Sequence, residues 1–122
     1  MATQERPLSP HLQVYKPQIT SVMSIIHRAT GVVLALGSLV LAAWLVAAAG
    51  APQTYASFAG WMGSPVGKLA LFVFSACLVY HFLNGLRHLA WDTGRGYDIP
   101  KVYASGYTVL ALSVVLTAAL WW

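Results

Sequence analysis

Three long segments without charged residues constrain this sequence more than any other feature. Residues 29–50, 69–86 and 102–122 contain no Asp, Glu, Lys or Arg. A helix that crosses the hydrocarbon core of a bilayer needs roughly 17–25 mostly apolar residues, and all three segments qualify, the second when it continues toward Trp91. These segments lack the alternation of apolar and polar residues that marks a membrane β-strand. A helix, in contrast, satisfies its own backbone hydrogen bonds in lipid. We therefore predict an all-α integral membrane bundle of three transmembrane helices.

The composition agrees with a membrane environment. Of the 122 residues, 58% are hydrophobic and only 8% are charged, against about 25% charged residues in soluble domains. The net charge of +4 does not indicate a nucleic-acid partner, because the seven Lys and Arg residues form no basic run. Cys77 is the only cysteine, which excludes an intramolecular disulfide and a cysteine-based metal cluster. The length predicts a single membrane-anchor domain, 1–122, with a leader at 1–20 and helices at about 21–50, 66–91 and 102–122.

Positive charges are distributed unevenly between the two predicted sides of the membrane. One side holds the residues before the first helix and those at or after the end of the second, namely Arg6, Lys16, Arg28, Arg87, Arg95 and Lys101. The opposite side holds Lys68, beside the predicted loop at 51–66. Because cytoplasmic regions of membrane proteins carry the excess of Lys and Arg, we predict a cytoplasmic N-terminus and a C-terminus outside.

Polar residues along one face of the second helix need an explanation, because ionisable groups inside a membrane are costly and usually face protein or water. At 3.6 residues per turn, this face contains His81, Gly85, His88 and Asp92. The two histidines lie about 10 Å apart along the helix axis, too far apart to hold one metal ion together. His81 is a candidate axial ligand to a haem iron and His88 a candidate partner for a haem propionate, with Gly85 leaving room for the macrocycle. The alternative is that His81 forms an interhelical hydrogen bond and that His88 is an interfacial residue.

A second polar cluster opens the first helix. One face there contains Ser24, His27, Arg28 and Gly31. The Ser24 hydroxyl and the donor fork of Arg28 suit the carbonyl oxygen of a quinone or the carboxylates of a haem. The alternative is that Arg28 extends to the interface as a marker of the inner side and that Ser24 caps or packs the helix. By the predicted topology both clusters lie near the cytoplasmic surface, which favours one shared site.

These clusters belong to sequence blocks that resemble the cytochrome b subunit of succinate dehydrogenase. The blocks lie at 6–12, 24–31 and 81–92. The second has the pattern Ser-x-x-His-Arg-x-x-Gly and the third the pattern His-x-x-Asn-Gly-x-Arg-His, which are specific in combination. The resemblance covers the leader, the three helices and their order.

The resemblance implies a place in respiratory complex II. In that family a flavoprotein subunit oxidises succinate, an iron–sulfur subunit relays electrons, and two small membrane subunits anchor them in the lipid and form the ubiquinone site. This chain would be a subunit that does not oxidise succinate and is not catalytic alone. It contains neither a dinucleotide fingerprint nor a cysteine cluster.

By position, the resemblance implies that His81 is a ligand of haem b, with the second ligand supplied by the second membrane-anchor subunit. Ser24 and Arg28 match quinone-binding residues. His27, Arg28 and His88 match residues near the haem propionates, and Asp92 matches a position close to the quinone region.

Two related functions stay open alongside this one. The chain could be a haem-free membrane anchor, or the anchor of a related quinol:fumarate reductase. A transporter would need polar residues lining a path through the bilayer, whereas here the charged groups stop near one side. The Met1 start and the absence of an Arg- and Ser-rich amphipathic leader predict a bacterial plasma membrane, with the mitochondrial inner membrane as the alternative.

Overall fold

The computed structural model describes residues 16–122, and four helices account for most of them. The helices are α1 (Ile19–Ala49), α2 (Pro52–Gly63), α3 (Pro65–Asp92) and α4 (Ile99–Trp121). Residues 1–15, which make up most of the predicted leader, lie outside the described part. Within 16–122 the structure contains no strand, and α1, α3 and α4 are long and apolar enough to cross a membrane. The predicted all-α bundle with three long apolar helices is confirmed, whereas the orientation of its termini stays a prediction.

The short helix α2 replaces most of the predicted loop at 51–66. Pro52 and Pro65 each occupy the first turn of a helix, where a missing N–H costs little and the fixed φ suits helical geometry. Ser64 separates α2 from α3 and caps α3 by accepting a hydrogen bond from the Gly67 N–H at 3.1 Å. At 12 residues, α2 is too short to span a bilayer.

Helix α3 lies centrally, packed against both α1 and α4, while α2 contacts α1 and α3. The buried core joins Met23 of α1, Tyr80 of α3 and Val109 of α4. Near the other end of the bundle, the Trp121 Nε1–H donates to Ser75 Oγ at 2.7 Å and ties α4 to α3.

A turn built on two glycines joins α3 to α4. Gly94 and Gly96 have φ values of 80° and 79°, in the left-handed region that glycine adopts without steric cost. The turn folds back over the end of α3, where the Trp91 Nε1–H donates to the Gly96 carbonyl at 3.2 Å. The Tyr97 hydroxyl donates to the Trp91 carbonyl at 2.5 Å. Trp91 is thereby held in place at the end of the membrane-length helix.

Candidate functional site

Three histidines from two helices meet at one end of the bundle. The ring of His27 on α1 lies between those of His81 and His88 on α3. Its centroid is 3.9 Å from that of His81, with 9° between the planes, and 5.1 Å from that of His88, with 22° between the planes. All three side chains are half-buried. The two polar clusters of the sequence therefore share one place in the fold.

Hydrogen bonds to Nδ1 assign the tautomer of His81. This nitrogen lies 3.1 Å from the His27 carbonyl oxygen and 3.0 Å from Thr30 Oγ1. A carbonyl oxygen only accepts, so Nδ1 carries the proton and donates it. The Thr30 hydroxyl donates to the same carbonyl at 2.9 Å and can accept from the imidazole. The His81 Nε2 therefore keeps its lone pair, the form of histidine that ligates a metal.

The other two histidines differ in how their ring nitrogens are satisfied. The His88 Nδ1–H donates to the Asn84 carbonyl one turn earlier, at 2.8 Å, which leaves its Nε2 as an acceptor. The His27 Nδ1 is buried and has no hydrogen-bond partner within residues 16–122. Because buried polar atoms are nearly always paired in native proteins, His27 marks a place where a further group belongs.

Two glycines shape the space around the stack. A Cβ built on Gly31 would lie 3.1 Å from the His81 Cε1, so the close approach of α1 to this imidazole depends on the missing side chain. A Cβ built on Gly85 meets no other part of residues 16–122 within 4 Å. The surface of α3 at Gly85 is consequently open, beside the His27 ring, and leaves room for a flat macrocycle against this part of the helix.

The remaining predicted site residues lie at the same end but outside the stack. Ser24 and Arg28 flank His27 on α1, Ser24 half-buried and Arg28 exposed. Asp92 is the exposed last residue of α3. No hydrogen bond or ring contact described for residues 16–122 joins any of the three to the histidine stack. Their side chains are therefore accessible to a ligand or a partner.

Sequence reasoning missed the role of Arg87, which it counted only as a positive charge near the inner surface. The structure buries Arg87 to 6% exposure, where its Nε–H donates to Ser105 Oγ at 2.9 Å and its Nη2–H to the Val102 carbonyl at 2.9 Å. The fully buried Asn84 accepts from Nη1 at 3.4 Å. The signal was present in the sequence, because Tyr80, Asn84 and Arg87 follow the spacing of one helix face.

An apolar cavity of about 700 Å³ lies between α1, α2 and α3. Its lining carries no ionisable group and none of the predicted site residues; it includes Val40, Phe58 and Leu69. The chemistry-bearing residues are thus gathered away from it, at the end where α1 begins and α3 ends.

Fold and site together define an integral membrane protein with a histidine-lined site between two transmembrane helices. Residues 2–120 match the family described as succinate dehydrogenase/fumarate reductase transmembrane subunit. The chain belongs to this family.

Individual relatives agree with the family match. The chain is 42% identical over 117 residues to the succinate dehydrogenase cytochrome b556 subunit of Rickettsia prowazekii, covering 96% of this chain and 91% of the relative. The subunit of the same name from Paracoccus denitrificans is 41% identical over 111 residues, covering 91% and 85%. The mitochondrial succinate dehydrogenase cytochrome b560 subunit of Mus musculus is 38% identical over 117 residues, covering 94% and 69%. The resemblance inferred from the sequence blocks is confirmed, and the chain is a membrane-anchor subunit of the succinate dehydrogenase type.

Proposed function

We propose that this chain is the cytochrome b membrane anchor of a succinate:quinone oxidoreductase, where it helps to bind haem b and to form the ubiquinone-reduction site. The observation that carries the proposal is the hydrogen-bonded His81, whose Nε2 keeps its lone pair and makes no hydrogen bond within residues 16–122. Iron-ligating histidines characteristically donate their other ring N–H to a carbonyl or similar acceptor. The cytochrome names of the relatives support the same cofactor.

The donors around the stack fit haem b. His81 would hold the iron through Nε2, and Gly85 would leave space for the ring. The unpaired Nδ1 of His27, with His88 and the cationic Arg28, would face the propionate carboxylates. When bound, haem b accepts and releases single electrons. His81 and His88 lie on one face of α3, so this chain would share the haem with a second membrane-anchor subunit.

Ser24 and Arg28 would form this chain's part of the quinone site. Arg28 is exposed and permanently charged, so its guanidinium could stabilise negative charge developing on a quinone oxygen. The Ser24 hydroxyl, one turn earlier on α1, would position the same oxygen. Donors arranged before the reaction lower its barrier because they need no reorganisation. Asp92 would lie near this region, and interfacial water would supply the protons.

The family places the chain in an assembly. Its soluble partners would be a flavoprotein subunit that oxidises succinate and an iron–sulfur subunit that delivers electrons at the membrane surface. The relatives named above are all succinate dehydrogenase subunits, which favours quinone reduction over the reverse reaction of a fumarate reductase. Two of them are bacterial, in line with a bacterial plasma membrane; the mouse relative leaves the mitochondrial inner membrane as the alternative.

An optical spectrum of the purified complex tests the haem assignment. We expect a b-type absorbance in the wild-type complex and its loss in His81→Ala. Cys77→Ala, one turn away on the same helix, is the matched control and should retain the absorbance. A wild-type complex without b-type absorbance, together with normal assembly of His81→Ala, would leave a haem-free anchor as the function.

Steady-state kinetics test the quinone assignment. Arg28→Ala and Ser24→Ala should lower quinone reduction, while succinate oxidation with an artificial acceptor persists because the soluble subunits are intact. Arg95→Ala, which removes an exposed cation beyond the end of α3, controls for the loss of charge. Normal quinone turnover in both site variants would remove Ser24 and Arg28 from the site.

A further inference from the structure

Arg87 is a buried cation that the proposed function does not use. No carboxylate within residues 16–122 pairs with it; the ion pair described there joins the exposed Lys101 and Asp98. Its partners are neutral oxygens of Ser105, Val102 and Asn84. A permanent charge inside a membrane protein is costly and usually has a function, so this one calls for an explanation beyond helix packing.

The Arg87 guanidinium contacts α1 near its first turns, at Met23. Its Nη1 lies 3.8 Å from the Sδ of Met23, which is only 1% exposed, and the Tyr80 hydroxyl donates to the Met23 carbonyl at 2.8 Å. Gly106 makes room for this junction, because a Cβ there would lie 3.1 Å from the Met23 Sδ and 3.4 Å from the Arg87 Nη2. Met23 and His27 are one turn apart on α1. Fixing Met23 therefore fixes the position of His27.

Arg87 also lies over the ring of Trp91, which in turn lies beside His88. The guanidinium carbon lies 4.2 Å from the centroid of the Trp91 ring, a distance at which a cation is attracted to an indole face. The Trp91 and His88 centroids are 5.1 Å apart. The glycine turn after α3 holds Trp91 from outside through the Gly96 carbonyl. The ring is thus clamped between the turn, the guanidinium and His88.

We propose that Arg87 is a positioning residue of the histidine site, setting His27 through Met23 and His88 through Trp91, both relative to His81. The inference rests on the proposed function for its consequence in haem binding. A planar fork of donors is needed, because the guanidinium must serve three acceptors and lie over an indole ring at once. Its buried positive charge would also favour the reduced, more negative state of a haem held at this site, and would thereby raise the haem potential.

The test compares variants of the whole complex by chemical labelling of histidine. Diethyl pyrocarbonate labelling of His27 and His88, read by mass spectrometry, should be several-fold faster in Arg87→Gln than in the wild type. Trp91→Leu removes only the contact between Arg87 and His88 and keeps the contact of Arg87 with Met23. It should therefore expose His88 and leave the labelling of His27 unchanged. Ser75→Ala is the matched control, because it breaks the other α3–α4 side-chain tie, to Trp121, without touching the site.

Redox titration and two further variants complete the test. Arg87→Gln should lower the haem midpoint potential, and Arg87→Lys should restore the potential but not the wild-type labelling. If Arg87→Gln fails to assemble, Ser105→Ala keeps the arginine and its charge and removes one acceptor, so it should speed the labelling by a smaller factor and leave the potential at the wild-type value. Labelling and potential that match those of Ser75→Ala would overturn the positioning role. A wild-type complex without haem would instead defeat the proposed function, while the labelling pattern would still decide the role of Arg87.

Discussion

The imidazole of His81 is oriented by groups that lie on another helix. Its Nδ1–H points to the His27 carbonyl and the Thr30 hydroxyl, both on α1, and Gly31 lets the helices approach closely enough for these bonds. The ring of a metal-ligating histidine is usually fixed by such a partner, whose loss typically weakens metal binding by about 10–100-fold. Substitutions of the groups that orient His81 should therefore affect haem binding, as substitution of His81 itself should.

Thr30→Val should weaken haem binding without preventing assembly. The substitution keeps the volume of the buried side chain and removes only its hydroxyl, so His81 keeps the His27 carbonyl as an acceptor. We expect a loss of haem affinity of about tenfold, measured as faster transfer of haem to excess apomyoglobin. Thr30→Ser, which retains the hydroxyl, should behave like the wild type. Wild-type haem retention in the valine variant would contradict the role of this hydroxyl.

Gly85→Leu should abolish haem binding while leaving the chain folded. No other part of residues 16–122 would obstruct the new side chain, and leucine favours a helix over glycine by up to about 1 kcal/mol. Only a macrocycle against this face would be displaced, so the b-type absorbance should disappear from an assembled complex. Gly60→Leu on α2, where the space is also open, is the control. A normal spectrum for Gly85→Leu would mean that the haem lies elsewhere.

At the scale of the element, α3 has two adjacent faces with different roles: one packs against α1 and α4, and the other forms the histidine site. Tyr80, Asn84 and Arg87 are buried and engage α1 and α4. His81 and His88, each one residue further along, face His27 across the site. A step of one residue turns a helix by about 100°, so the two sets point in different directions although they alternate in the sequence.

The crossing of α1 and α3 depends on a glycine against an aromatic ring. A Cβ built on Gly37 would overlap the ring of Phe74, so Gly37→Ala should destabilise the chain by about 1–3 kcal/mol, the usual cost of overpacking. A lower midpoint of thermal unfolding in the detergent-solubilised complex would show it. Adding Phe74→Leu should recover part of the lost stability, because it removes the ring that the new methyl group would overlap. If Gly37→Ala matches Gly60→Ala in stability, the helices do not cross as described.

At the scale of the whole molecule, the surface is the inverse of that of a soluble protein. Large apolar side chains such as Leu39, Val46 and Val114 are 68%, 73% and 70% exposed, while buried positions include Thr30, Asn84 and Arg87. Exposed apolar surface on this scale marks contact with lipid or with partner proteins. A bilayer favours polar groups inside and apolar groups outside, because lipid offers no hydrogen bonds to polar groups.

The distribution of cations predicts how the molecule is inserted. In a Cys77→Ala background, Gly60→Cys on α2 should react with a membrane-impermeant maleimide added outside intact spheroplasts. Thr93→Cys, in the turn after α3, should react only after the membrane is opened. The reason is that the regions richer in Lys and Arg stay in the cytoplasm. The reverse labelling pattern would invert the topology and place the histidine site at the outer surface.

The sequence by itself determined the three membrane helices and which polar residues share a face of one helix. Apolar segments of this length without the alternation of a barrel strand have no other stable backbone in lipid, and the 3.6-residue period placed His81 with His88 and Ser24 with His27 on common faces. The family blocks at 24–31 and 81–92 agreed with the family match. The sequence also contained the stripe of Tyr80, Asn84 and Arg87, but it did not say which neighbour that stripe would meet.

Only the tertiary structure decided the rest. It made a helix of 52–63 out of most of the predicted loop, with Pro52 and Pro65 at helix starts. It buried Arg87 rather than leaving it at the surface, and it stacked His27 between two histidines of α3. Periodicity gives the angle between the faces of one helix, whereas the partner of each face depends on how separate helices cross and rotate against one another. That choice is made by long-range packing, such as Met23 against Arg87, between residues far apart in the chain.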